Sequence, residues 1–355
     1  MVGPDGALPL PWLEPVLRRT LDSQRAHALL LHGPQGVGQF ELALVLAQAW
    51  LCEAAHGHAR PCGVCASCRL GQAHSHPDLL VLVPEALQES LQWGATDAAD
   101  ADEAPSARAG KAKPSQDIKV EAVRAAVSFA QTTSARGRGK VVVLHPAERM
   151  NVVSANTLLK TLEEPPGNAR FALSCAAPDA LLPTIRSRCQ SVAMSLPPQE
   201  QAIEWLAHHG VANPDVMLRA TGGQPQEALA WVRQGIDATQ WARIPELVGQ
   251  GASSMFTAWP VPRVVDALQK LCHDAACVAA GAVPRYFPAA TVSAGADGAA
   301  LSAWMRELGR VSRHAEHPWN VGLMIESLIQ QGQRALVGAG RKGPSVPGVS
   351  VHSRA

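Results

Sequence analysis

The sequence predicts an α/β fold: a P-loop-type core on a parallel sheet, then a small helical domain and a larger all-helical one. Three observations lead there. Short, continuous apolar runs alternate with helical patterns over the first half of the chain. A glycine-rich loop joins the first run to the first helix, and beyond Pro197-Pro198 only helical periodicity remains.

A chain of 355 residues exceeds one ordinary domain and can bury more than one core. Lys and Arg number 31 against 30 Asp and Glu, a formal charge of +1, so no global basic footprint for nucleic acid exists. Any DNA contact must be local or shared with partners. Pro11, Glu14, Arg18, Arg19 and Asp22 interrupt any apolar leader, and no later stretch reaches ~18 uncharged apolar residues. The expectation is a soluble, cytoplasmic protein with no membrane partner.

The elements follow in order. Ala28 to Leu31 reads as a strand and Phe40 to Leu51 as a helix, with Leu42, Val45, Leu46 and Ala49 at helical spacing. Leu79 to Val83, Val141 to Leu144 and Phe171 to Ser174 are further strands, separated by helical patterns at Val120 to Ala130 and Ser154 to Glu164. Unbroken rather than alternating apolar strands suit a parallel sheet covered on both faces. Short amphipathic helices follow at Glu200 to His208 and Gln226 to Gln234, then longer ones such as Arg263 to Cys277 and Val321 to Leu336. The predicted division is a core over 1–191, a small helical domain over 192–237 and an all-helical domain over 238–337. Residues 92–116 and 338–355, rich in Ala, Gly, Pro and Ser, read as a flexible insertion and a disordered tail.

Gly33-Pro34-Gln35-Gly36-Val37-Gly38 has the spacing of a phosphate loop, in which backbone N–H groups and a helix N-terminus cradle phosphates. Taken alone, such a motif is also a plain strand-to-helix turn; its place between strand and helix favours the phosphate loop. The chemistry is nevertheless missing. An active loop continues with Lys, which offsets phosphate charge, and Ser or Thr, which ligates Mg²⁺; here Gln39 and Phe40 follow. After the Val141 to Leu144 strand, His145 and Pro146 stand where Asp and Glu would hold metal and water. Gly33, Gly36 and Gly38 are thus candidate nucleotide-binding residues of a site that does not hydrolyse.

Cys62, Cys65 and Cys68 sit at x2 intervals with Cys52 upstream, enough thiolates to close a tetrahedral structural Zn²⁺ site over 52–68. His56, His58, His74 or His76 could replace one thiolate. The rivals are an iron–sulfur cluster, whose expected Cys-Pro continuation is replaced by Gln72-Ala73, and unligated thiols.

Asn156-Thr157-Leu158-Leu159-Lys160-Thr161-Leu162-Glu163-Glu164-Pro165-Pro166, followed by Ser187-Arg188-Cys189, resembles the bacterial clamp-loader ATPases of the AAA+ class. The degenerate loop, the four cysteines and Pro11-Trp12-Leu13 resemble the non-hydrolysing stator branch of that family, over roughly residues 8 to 336. The resemblance implies an AAA+ core, lid and collar in a ring with gamma/tau and delta subunits, within the DNA-directed DNA polymerase holoenzyme. It implies that Arg188 reaches in trans into a neighbour's ATP site, and that the assembly loads the sliding clamp onto primer-template DNA. ATP is then bound by neighbouring subunits. From charge alone Arg186 and Arg188 are equivalent; the motif selects Arg188. Lys160, Glu163 and Glu164 read as a solvated face or subunit contact. Arg136, Arg138 and Lys140 are the local basic residues available for DNA.

Two alternatives stand beside this reading. An ATP-hydrolysing gamma/tau-type subunit is opposed by Gln39, Phe40, His145 and Pro146. A zinc-dependent DNA-binding module is opposed by the segment between Cys52 and Cys68, whose only fixed positive charge is Arg60.

Overall fold

Four of the apolar runs become parallel strands: β1 (Ala28–His32), β2 (Leu79–Leu82), β3 (Val141–Leu144) and β4 (Arg170–Cys175). A fifth, β5 (Gln190–Ala193), has no counterpart in the expected pattern. The computed structural model describes residues 1–23, 26–55, 59–93, 114–293, 295–313 and 320–337. The expected tail at 338–355 lies outside the described residues, as does all but the ends of the insertion expected at 92–116.

The strands form one sheet in the order β2-β3-β4-β1-β5, every pair parallel. Alternation along each strand sends its side chains to two apolar layers. Leu29, Leu31, Val141, Val143 and Ala172 meet Leu42, Val45 and Leu46 on one face. Leu30, Val142, Leu144, Phe171 and Leu173 meet Val123, Ala126, Leu158 and Leu162 on the other. The central strands therefore read as unbroken apolar runs because both of their faces are covered. β1 connects to β2 at one edge, while β4 crosses over to β5 at the other edge. That reversal makes the carboxyl end of β1 the place where an open α/β sheet leaves a crevice.

In chain order the helices are α1 (Glu14–Ser23), α2 (Gln39–Leu51), α3 (Ala66–Gln72), α4 (Glu85–Leu91), α5 (Val120–Gln131), α6 (Val152–Glu163) and α7 (Pro183–Arg186). They continue as α8 (Gln199–His208), α9 (Pro214–Ala220), α10 (Pro225–Arg233), α11 (Ala238–Gln250), α12 (Val261–Ala279), α13 (Gly298–Arg313) and α14 (Val321–Val337). α2 is buried along nearly its whole length. Its Gln48 side chain accepts from Val2 N at 2.7 Å and donates to Val2 O at 3.0 Å, pinning the N-terminal segment to the core.

The chain divides into two compact units, Met1–Trp205 with Gln224–Glu227, and Leu206–Gly223 with Ala228–Ala355. Every secondary-structure element among the second unit's described residues is a helix. Trp241, Leu268, Leu271, Trp304, Leu308 and Ile329 form its interior. A Cβ added at Gly332 would lie 2.5 Å from the Trp304 ring, so α14 approaches α13 as closely as glycine allows. Buried Asp274 accepts backbone N–H bonds from Arg285, Tyr286 and Phe287 at 2.7 to 2.9 Å and so fixes the loop after α12. No helix among the described residues is long and apolar enough to cross a membrane.

Candidate functional site

The glycine-rich loop leaves β1 after His32 and enters α2 at Gln39. Its glycines are required by shape. A Cβ at Gly33 would meet Met194 O at 2.3 Å, and Gly38 caps α2 at φ +99, where side chains are disfavoured. Trp12 Nε1 donates to Val37 O at 2.8 Å, so the Pro11-Trp12-Leu13 segment braces the loop from outside. The loop is thus a glycine-dependent strand-to-helix turn, braced from the N-terminal segment.

Its side chains are turned to other work. Gln39 is buried, and its amide donates to Gly33 O at 2.8 Å and Pro34 O at 2.6 Å, bonding the loop's own carbonyls. Phe40 stacks on His145, ring centroids 4.6 Å apart at 28°. One substituted position of the loop is therefore packed against one at the β3 end. Ser174 Oγ donates to Leu144 O at 3.2 Å, which leaves it to accept from His145 Nδ1 at 3.0 Å and places the imidazole proton on Nδ1. Glu148 Oε1 accepts from Ala176 N and Ala177 N at 2.9 and 3.3 Å, tying the loops after β3 and β4 together.

A cleft of about 430 Å³ beside the loop has Glu41, Glu148, Arg149 and Glu227 as its charged lining. Three carboxylates against one guanidinium oppose a triphosphate. Gln226 adds a cross-tie that sequence reading missed: its amide donates to Glu41 Oε1 at 2.5 Å, and its backbone N–H reaches Gly36 O at 3.4 Å. Nothing in the amphipathic pattern around Gln226 signals that contact, because it joins residues 185 positions apart.

Burial pulls the His145 imidazole down to about 4, so the ring is neutral at pH 7. The unfolded chain, with an ordinary histidine near ~6.5, binds the extra proton first as pH falls. This residue's contribution to stability is therefore complete above pH ~6.5 and declines to about 3 kcal/mol less below pH ~4. Denaturation of the protein and His145→Gln at pH 7.5 and 4.5 should give a smaller acid loss in the variant; equal losses would show that the buried ring is not responsible.

The four cysteines converge. Cys52 ends α2, Cys65 caps α3, and the four sulfurs lie within 4.8 Å of one another. Cys52–Cys65 and Cys62–Cys68 sulfur separations of 3.9 and 4.0 Å are close to the ~3.8 Å edge of a tetrahedron with Zn–S of ~2.3 Å, and far too long for disulfides. Backbone N–H groups of Cys65 and Cys68 donate to Cys62 and Cys65 Sγ, each at 3.4 Å. Burial raises the Cys62 thiol, but the N–H donors of Cys65 and Val64 outweigh it and bring it down to about 6. Burial pushes Cys52 and Cys68 up. An all-thiolate donor set of this size fits a structural Zn²⁺, closed and without an open catalytic position.

His56 and His58 lie outside the described residues. His74 stacks on Trp93 at 3.7 Å, and His76 Nδ1 accepts from Asp78 N while Nε2 bonds Ser67 Oγ, so neither belongs to the cluster. The knuckle is docked on both sides: Gln72 donates to Val2 O and Gly63 O, and Glu53 pairs with Arg136 at 2.6 Å. Of the basic residues considered for DNA, Arg136 is held in that pair and Lys140 is buried against Asp78 at 3.0 Å. Arg138 alone of the three is exposed.

Arg188 stands between α7 and β5, at the amino end of β5. Register pairs Gln190 with Leu29 at the start of β1, whereas the phosphate loop begins beyond the far end of that strand. At ~3.3 Å per residue, Arg188 lies more than about 13 Å along the sheet from the chain's own loop. Its guanidinium is paired with Glu163 and donates to Thr184 O at 2.9 Å.

A family model described as DNA polymerase III, delta subunit matches residues 13–198. The DNA polymerase III delta-prime subunit of Pseudomonas aeruginosa is 37% identical over 259 residues, covering 69% of this chain and 70% of that protein. The chain belongs to the DNA polymerase III delta-prime family. The Escherichia coli delta-prime subunit is 33% identical over 227 residues, covering 62% of this chain and 60% of that protein. A gamma-subunit-related protein of Thermotoga maritima, known from a crystal structure, aligns over 91% of this chain and 99% of that one. Its TM-score is 0.48 at 14% identity, too loose a likeness to carry an argument. As a delta-prime family member the chain is a clamp-loader-related subunit of DNA polymerase III. Its parallel-sheet α/β core, helical C-terminal part and four-cysteine cluster are the expected fold class.

Proposed function

We propose that this delta-prime family chain is the non-hydrolysing stator of the clamp loader. It supplies Arg188 in trans to the ATP site of a neighbouring gamma/tau subunit, joins gamma/tau and delta, and helps load the sliding clamp onto primer-template DNA in the cytoplasm. The observation that carries the reading is the separation of parts. The chain's own loop is closed by the Gln39 bonds and the Phe40–His145 stack, while Arg188 sits at the opposite end of the sheet. An arginine there has no phosphate of its own to serve, and a guanidinium offered to another chain's nucleotide stabilises charge developing during phosphoryl transfer.

In this reading residues 1–191 form the AAA+ core, 192–237 the lid and 238–337 the collar that joins the ring. Cys52, Cys62, Cys65 and Cys68 hold Zn²⁺ as a structural staple. Gly33, Gly36 and Gly38 keep the loop's shape without its activity.

The purified chain alone should show no saturable heat on titration with Mg-ATP and no turnover above background. Turnover that is lost on substituting a residue of the Gly33 to Gly38 loop would instead establish the ATP-hydrolysing gamma/tau-type alternative.

A further inference from the structure

Arg186 and Arg188 differ in how they are held. Arg186 makes one bond, Nη1 to Asp179 Oδ1 at 2.9 Å, and the Asp179 side chain is 92% exposed. Arg188 is gripped from two sides: Nε and Nη2 both donate to Glu163 Oε1, the first at 2.7 Å, and Nη1 donates to Thr184 O at 2.9 Å. Both acceptors belong to anchored elements. Glu163 ends α6, which buries Leu158 and Leu162 and is capped by Asn151, and Thr184 lies on α7 beside fully buried Ile185.

A guanidinium has five N–H donors in a fixed plane. Three are taken here, one on Nη1 and one on Nη2 remain, and donors on these adjacent nitrogens can fork to two oxygens of a phosphate. The pair lies at the surface, with the Arg188 and Glu163 side chains 29% and 47% exposed. An exposed ion pair of this kind adds little to stability. A flexible arginine must lose rotamer freedom before it can act, and one already held does not.

We infer that Glu163 is a positioning residue for Arg188, holding its Nε–Nη2 edge so that the Nη1–Nη2 edge is presented to a phosphate of the neighbouring subunit's nucleotide. The inference rests on the trans-acting reading of Arg188. Because one oxygen, Oε1, accepts both bonds, the carbonyl oxygen of a glutamine can do the same, which separates positioning from charge.

The test uses the complex reconstituted with its ATPase subunits, sliding clamp and primed DNA, measuring kcat and KM for ATP and single-turnover hydrolysis. Glu163→Ala should lower the single-turnover rate at the site Arg188 serves roughly 10- to 100-fold, lowering kcat by that site's share with KM within about twofold, the loss expected when a reacting group is misplaced. Glu163→Gln should restore most of that rate. Glu163→Ala combined with Arg188→Ala should be no slower than Arg188→Ala alone, since Glu163 acts only through the arginine. Assembly by size-exclusion chromatography should be unchanged throughout.

If Arg188→Ala is slow but Glu163→Ala hydrolyses at the wild-type rate or faster, the positioning role is overturned and the trans arginine stands. Equal losses in Glu163→Ala and Glu163→Gln would also overturn it, by assigning the effect to charge. If Arg188→Ala itself keeps the full rate, the reading of Arg188 fails and the positioning role with it.

Discussion

Cys65→Ser is expected to empty the metal site and loosen the N-terminal unit. The four sulfurs already lie within 4.8 Å of one another, and Cys65 is the most heavily used of them. Its Sγ receives backbone N–H bonds from Cys68 and, at 3.5 Å, from Glu53, and it caps α3. A structural Zn²⁺ contributes roughly 10–16 kcal/mol of binding free energy, which becomes folding free energy where the apo site does not persist. The knuckle is tied to Val2 through Gln72 and to Arg136 through Glu53, so its loss should be felt beyond 52–68. Elemental analysis should find one Zn²⁺ per wild-type chain and almost none in the variant, with thermal unfolding of the variant shifted down. Because thiolates must be deprotonated to bind, metal should also leave as pH falls. Iron in the wild-type protein, or no metal at all, would contradict the zinc assignment.

If Arg188 serves a neighbouring ATP site as proposed, Arg188→Ala slows hydrolysis at that site by on the order of 10³-fold, the lower range for a trans arginine, while leaving the complex assembled. The asymmetry follows from the geometry. The Arg188–Glu163 pair is partly exposed and holds no core together, so its removal costs little stability. The charge it would offer to a transferring phosphoryl group acts in a closed, water-poor site, where it counts for much more. The effect should fall on the chemical step, lowering kcat with little change in KM, and appear in single-turnover measurements on the complex. The same substitution should leave the isolated chain's thermal unfolding nearly unchanged.

Much of the core was legible because burial on both faces leaves an unmistakable apolar run, as in Val141 to Leu144. β5 was not legible: it is an edge strand whose residues Gln190, Ser191 and Ala193 are exposed, so only Val192 carries any signal. The α1 helix escaped for a related reason, since only Leu17 and Thr20 along it are buried. The cysteine cluster could be read from spacing because x2 intervals bring thiols together locally, with only Cys52 arriving from farther away. The departures from the loop motif at Gln39, Phe40 and His145 were legible, but not the contacts these residues make. The Phe40–His145 stack and the Gln226–Glu41 bond join residues 105 and 185 positions apart, across the sheet and over the loop. Nor could charge patterning separate Arg188 from Arg186. The grip of Glu163 and Thr184 does so in three dimensions.

The measurement that bears most directly on the division of labour is ATP turnover as this chain is titrated into its ATPase partner subunits with clamp and primed DNA. The account predicts that turnover rises to a stoichiometric plateau with the wild-type chain, that Arg188→Ala joins the complex without producing the rise, and that Gln35→Ala, at an exposed non-glycine position of the loop, leaves the plateau intact. Equal stimulation by wild-type and Arg188→Ala chains, or a plateau that depends on the chain's own loop, would contradict it.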